Sequence, residues 1–238
     1  MIEKITKNTQ NLSISANTKE TKIPLQRNQI YSSEKALFHT KRLMKLQKQQ
    51  PITPTCLLVD LEAYCNDNCS FCTTRKENGY NNQMLKLLKI NEKEKATDEF
   101  KPIGMPSEKS RLGLDIAESL PRMMKEAQIP AIELTGGGEP TLWPKFDDLI
   151  ENLVKNDIEI GLVTNGSKIS DDRARTLARH CTWIRFSMDA SNKILHKKMH
   201  RTVNDDFDRR ITSIQKIIHL KHDDLIVGIS FVPFSRFR

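Results

Sequence analysis

The sequence predicts an α/β fold built on a parallel sheet. Short apolar runs of four to eight residues alternate with amphipathic stretches from about residue 56 onward. Most of those runs end in glycine, asparagine or aspartate, the residues that close a strand and turn the chain. Strand and helix in strict alternation imply βαβ units, and right-handed crossovers wind such units into an open sheet or a barrel.

In chain order, residues 1–32 are rich in Asn, Gln, Thr, Lys and Ser, with scattered apolars and no period. They read as a flexible polar leader ahead of a core over 33–238. Ser33 is placed to cap a short helix whose apolar side is Leu37, Phe38, Leu43, Met44 and Leu46, and Gln50–Pro51 is expected to end it. Cys56–Leu61 is the first strand. Leu114–Ala127 has helical spacing, with Pro121 predicting a kink or a late start. Ala131–Thr135 is the second strand and Phe146–Lys155 a helix. Ile158–Thr164 is the third strand, followed by a helix over Asp171–His180 with Ser170 or Asp171 at its cap. Trp183–Met188 is the fourth strand, Phe207–Leu220 a helix and Leu225–Val232 the fifth strand. The polar stretch 75–111 is read as an insertion, because a connection of about forty structureless residues is unusual in a compact domain.

Composition narrows the class. Hydrophobic residues make up 37% and charged residues 29% of the 238. No apolar run approaches the length of about eighteen residues that a membrane helix needs. The N-terminus, Met1–Ile–Glu–Lys–Ile–Thr6, lacks the apolar centre of a secretory signal, so a cytoplasmic chain is expected. In that reducing compartment cysteines serve metals or catalysis more often than disulfides. The net charge of +8 comes from lysines spread along the chain rather than gathered with aromatics, which reads as solubility and argues against nucleic acid as a partner.

The chemistry is concentrated in Cys65–Asn–Asp–Asn–Cys69–Ser–Phe–Cys72, a C-x3-C-x2-C loop directly after the first strand. Thiolates are the soft ligands that iron–sulfur clusters take, and a compact loop can hold three corners of a cubane with one iron left open. Structural zinc is the alternative, and an electron-transfer cluster is another. Zinc wants four closed ligands. Cys56 and Cys181 lie apart and read as buried hydrophobes. His196 and His200 share a helical face at i, i+4, but in a lysine-rich stretch they read as a solvated surface.

This loop, with Phe71 before its last cysteine, resembles the signature of the radical S-adenosylmethionine (SAM) superfamily. Later landmarks follow in the family's order over about 35–232: Gly136–Gly137–Gly138–Glu139–Pro140 after the second strand, Thr164–Asn165–Gly166 after the third, Ser187–Met–Asp189 after the fourth, and Gly228–Ile–Ser230 in the fifth. The resemblance implies a partial TIM-type, (β/α)6-like barrel with about five βα units present. It implies a [4Fe–4S] cluster on Cys65, Cys69 and Cys72, whose open iron is chelated by SAM. Reduction would cleave SAM and give a 5′-deoxyadenosyl radical that abstracts hydrogen from a substrate, with a peptide or protein slightly favoured. An electron donor such as flavodoxin or ferredoxin is implied. For SAM itself the resemblance implies Gly137 and Gly138 as backbone approach, Glu139 for the ammonium, Ser187 and Asp189 for the ribose or methionyl group, Phe71 beside the adenine and Arg201 for the carboxylate. Thr164–Asn165–Gly166 reads as a tight turn with Gly166 at positive φ. The readings held beside this one are a truncated or partner-dependent remnant that binds a cluster without turnover, and a ferredoxin-like carrier.

Overall fold

The structure is a computed structural model that describes residues 39–72, 111–202 and 206–232. The leader 1–32, the cap at Ser33 and nearly all of the insertion 75–111 lie outside the described residues. The chain divides into two compact units, Met1–Ile52 and Thr53–Arg238. In the first, helix α1 spans Thr40–Gln47, and Leu43, Met44 and Leu46 on it are exposed. It stops before Gln50–Pro51. Gln49 turns left-handed at φ 54°, and the Gln50 N–H returns to the Lys45 carbonyl, closing the last turn.

The second unit carries the sheet. Strands β1 (Leu57–Asp60), β2 (Ala131–Thr135), β3 (Glu159–Thr164), β4 (Cys181–Ser187) and β5 (Ile226–Ser230) are all parallel, in the order β1-β2-β3-β4-β5. Helices α2 (Leu114–Glu126), α3 (Phe146–Lys155) and α4 (Asp171–His180) each fill one connection, and α5 (Lys193–His200) and α6 (Phe207–Leu220) both lie between β4 and β5. A doubly wound sheet reverses its order at a switch point. Here the order never reverses, which is the winding of a barrel. The α/β, partial-barrel expectation holds.

Register sorts the two faces. Leu57, Ile132, Ile160, Leu162, Ile184 and Phe186 point to one side, where they join Ala117, Met124, Leu149, Leu153, Leu177 and Ile217 from the helices in one core. Side chains alternate, so the other face carries Leu58, Asp60, Glu133, Thr135, Val163, Trp183, Arg185 and Ser187, and none of these is fully buried. Gly161 is a niche for the indole of Trp183, which lies across it: a Cβ there would stand 2.3 Å from the ring. Gly161→Ala is therefore expected to swing Trp183 outward, with more acrylamide quenching of its fluorescence in a Trp143→Phe background. Unchanged quenching would show that the ring does not depend on the niche.

Two local expectations are corrected. Pro121 does not delay α2, which begins at Leu114 and runs through it. Ala117, Pro121 and Met124 form the buried side of that helix, so packing of the ring offsets the lost hydrogen bond. Cys56 is exposed rather than buried, because it precedes the edge strand β1, whereas Cys181 between β3 and β5 is buried.

Candidate functional site

The residues that follow the strands meet at the C-terminal edge of the sheet. β1 leads into the cysteine loop, and Glu62–Tyr64 still run beside the chain leaving β2. The Gly138 N–H donates to the Glu62 carbonyl and the Glu139 N–H to the Tyr64 carbonyl, each at 2.9 Å. The glycines serve this approach of two backbones. A Cβ on Gly138 would lie 2.1 Å from the Tyr64 oxygen, and one on Gly136 3.1 Å from the Glu62 oxygen.

Glu139 is buried, and both of its carboxylate oxygens accept protein hydrogen bonds. Oε1 accepts from the Thr141 N–H (3.1 Å), the Thr141 hydroxyl (2.6 Å) and the Thr164 hydroxyl (2.6 Å), and Oε2 from the Asn165 N–H (2.7 Å). Burial pushes its pKa up, and these donors work against that rise. The side chain thus ties the end of β2 to the end of β3. Gly166 completes the turn at φ 74°, where a side chain would be strained. Asn165 has more than a turn role. Its amide donates to Asn66 Oδ1 at 3.0 Å and lies 3.8 Å from Cys65 Sγ, while Asn66 donates to the Ser167 hydroxyl at 2.8 Å.

The far side of the cysteine loop is held by the end of α5. The Asn68 N–H donates to the His200 carbonyl and the Ser70 N–H to the Met199 carbonyl, both at 2.9 Å. His196 and His200, expected on a solvated surface, are 1% and 0% exposed. They stack on each other with centroids 4.4 Å apart, and Phe71 meets His200 edge-on. His200 Nδ1 stands 3.1 Å from Asp67 Oδ2 and 3.3 Å from Cys69 Sγ, and Nε2 stands 3.0 Å from the Met188 carbonyl and 3.4 Å from Asp189 Oδ2. Burial disfavours the imidazolium, but hydrogen bonds to Asp189, Asp67 and Cys69 push its pKa up to about 11. Arg210 grips Asp67 with two bonds of 2.8 and 2.6 Å and reaches Asp206 at 2.9 Å. Against the cost of burial, His200 and Arg210 hold the Asp67 carboxyl well below the usual carboxylate range.

The other expected SAM contacts fall as follows. Ser187 ends β4 opposite Ser230 and is half-buried. Asp189 does not continue the strand with Ser187. It turns left-handed at φ 50°, is buried, and accepts from the Val232 N–H at 2.8 Å. Arg201 caps α5 in the left-handed conformation at φ 47°. Phe71 and Gly137 lie on the two loops just described. Asp67, Asn165, His200 and Arg210 were not singled out as site residues by the sequence. The i, i+4 histidines ending a helix beside Leu195 and Met199 were the available signal.

The donor set suits an iron–sulfur cluster. No disulfide links the five cysteines. Burial raises the pKa of the Cys65 and Cys69 thiols, and a bound metal group would favour their thiolate form. Nitrogen donors already face both sulfurs. Among the described residues, a single-ion cage is offered only by Asp67, Cys69 and His200. Arg210 already occupies that Asp67, which rules against a lone cation there.

Comparison with known proteins agrees. A 77-residue stretch is 34% identical to the tungsten-containing aldehyde ferredoxin oxidoreductase cofactor-modifying protein of Pyrococcus furiosus, covering 32% of this chain and 20% of that protein. A 75-residue stretch is 35% identical to an S-adenosylmethionine-dependent nucleotide dehydratase of Flammeovirga pacifica, covering 32% and 26%. The fold is similar to that of Streptococcus suis SuiB bound to S-adenosylmethionine, with TM-score 0.54 and 18% identity over 86% of this chain and 41% of SuiB. SuiB bound to its precursor peptide SuiA gives 0.53 and 16% over 98% and 44%. The chain thus spans less than half the length of each of these proteins. The family model described as the Radical SAM superfamily matches residues 63–236, which include the cysteine loop, and the chain belongs to that superfamily.

Proposed function

We propose that this chain binds a [4Fe–4S] cluster through Cys65, Cys69 and Cys72 and, in the protein it belongs to, initiates radical chemistry from SAM. When bound, the two cofactors supply reductive cleavage of SAM to methionine and a 5′-deoxyadenosyl radical that takes hydrogen from a substrate. The observation that carries the reading is the placement of three thiols on one loop at the C-terminal mouth of a parallel α/β sheet, with donors facing two of the sulfurs.

The chain's own residues have two tasks in this reading. Glu139, Asn165, Asp67, His200 and Asp189 fix the loops that carry the ligands. The Gly137–Gly138 backbone, Phe71, Ser187 and Arg201 line the SAM side, and Glu139 offers its carboxylate toward the SAM ammonium. The core is residues 33–238, with a polar insertion at 75–111. A flavodoxin- or ferredoxin-type protein supplies the electron. The substrate is a peptide or protein, a choice supported by the likeness to SuiB, whose structure was solved with a precursor peptide. The chain acts in the cytoplasm. For the membrane, no described helix is long and apolar enough to cross one.

The test is anaerobic reconstitution with iron and sulfide, then reduction with SAM present. Iron- and sulfide-dependent absorbance and formation of 5′-deoxyadenosine plus methionine are expected. Alanine at Cys65, Cys69 or Cys72 is expected to abolish both the cluster absorbance and SAM cleavage. Undiminished cleavage in the triple variant would overturn the assignment, and redox cycling without SAM cleavage would mark an electron carrier.

A further inference from the structure

We infer that His200 is a positioning residue that donates a hydrogen bond from Nδ1 to the sulfur of Cys69 and thereby raises the reduction potential of the cluster. The inference rests on the cluster reading above and goes beyond it, because His200 is no ligand and lies 131 residues away in sequence from the cysteine it touches.

The argument is geometric. With Cys69 ligating the cluster as thiolate, both ring nitrogens face acceptors only: a carboxylate and a sulfur at Nδ1, a carbonyl and a carboxylate at Nε2. A ring so surrounded donates at both positions. It has no freedom to turn away, since His196 stacks on one face at 4.4 Å and Phe71 closes an edge at 5.7 Å. Asp67, which shares Nδ1, is itself fixed by the two-pronged bond from Arg210. The main chain of the same residue holds the loop, the Asn68 N–H donating to the His200 carbonyl at 2.9 Å. A donor fixed this way, in a site with 0% exposure, is not replaced by water when the ring is changed.

The electrostatic consequence follows from charge. Reduction places one more electron on the cluster and its thiolates, and a hydrogen bond to sulfur stabilises the more negative state. Hydrogen bonds to the sulfurs are among the main influences on the potential of such clusters. His200 therefore favours the reduced form.

Two substitutions separate the nitrogens. His200→Asn places an amide N–H near the position of Nδ1, and His200→Gln places one near Nε2. The full chain, reconstituted anaerobically without SAM, is titrated with dithionite and the reduced cluster is followed by its EPR signal. Wild type and His200→Asn are expected to titrate together. In His200→Gln the ratio of reduced to oxidised cluster at a fixed potential is expected to fall about tenfold, about 59 mV for a one-electron couple. Loss of the cluster from His200→Gln with retention in His200→Asn would also support the Nδ1 contact. Equal potentials in all three proteins, or loss of the cluster from both variants alike, would overturn the inference. Failure of the wild type to hold iron would instead defeat the cluster reading itself.

Discussion

Replacement of Arg210 by methionine is expected to destabilise the protein by about 3–5 kcal/mol, the range found when one partner of a buried ion pair is removed. Arg210 is 0% exposed, and Asp67 and Asp206, which it binds, are 1% and 6% exposed. Methionine fills much of the space but strands Asp67, which among the described residues keeps His200 alone as a cationic partner, while Asp206 keeps Arg209. Against a total stability of about 5–15 kcal/mol for a domain, such a loss moves the urea midpoint far to the left. A change under about 1 kcal/mol would refute the prediction. The pH dependence carries a sign. The Asp67 carboxyl is held below its ordinary range, so the unfolded chain binds the proton more readily. The stability it contributes is complete above the unfolded value and is lost as pH falls through the carboxylate range. Arg210→Met is expected to flatten that acid limb, and Arg210→Met combined with Asp67→Asn to recover part of the loss, since the double change removes the stranded charge.

The second large effect is expected at Gly138. In Gly138→Ala the new Cβ meets backbone, 2.1 Å from the Tyr64 carbonyl oxygen and 2.5 Å from its carbon, and neither can rotate away. Overpacking against side chains costs about 1–3 kcal/mol. Here two extended segments must part, so a loss of about 3 kcal/mol or more is expected, together with at least a fivefold fall in iron bound, because Tyr64 precedes Cys65. Gly113→Ala is the control. Its Cβ would meet only the tip of the flexible Asp115 side chain at 2.7 Å, and a loss within about 1 kcal/mol is expected. Equal stability losses in the two variants would show that backbone contact is not the cause.

What the sequence disclosed follows from the range of the forces involved. The periods of Phe146–Lys155, Asp171–His180 and Phe207–Leu220 are local, and the helices have those bounds. Ala131–Thr135 is a short apolar run closed by three glycines, and it is a strand over the same residues. The cysteine loop was legible because its ligands sit within eight residues. The buried partners of that loop were not. Asp67 reads as one polar residue in a polar loop until a histidine 133 residues later and an arginine 143 residues later close on it. His196 and His200 were read as surface because flanking lysines outweighed them, yet Leu195 and Met199 share their helix and Met199 is buried with them. The sequence did not disclose that Gly136 and Gly138 also admit the Glu62–Tyr64 backbone, because that approach joins segments more than seventy residues apart.

The long reach of the Arg210–Asp67 contact also sets an order of assembly. The cysteines are among the early residues of this unit to leave the ribosome, whereas α5 and α6, which clamp their loop, come more than a hundred residues later. At about 5–20 residues per second, the thiols wait several seconds or more before their clamp can form. Closure across 143 residues is also a contact of high order, slow to form relative to local helices. During translation the loop therefore carries its thiols without their clamp. A finished cradle for a metal group exists only once α6 has docked.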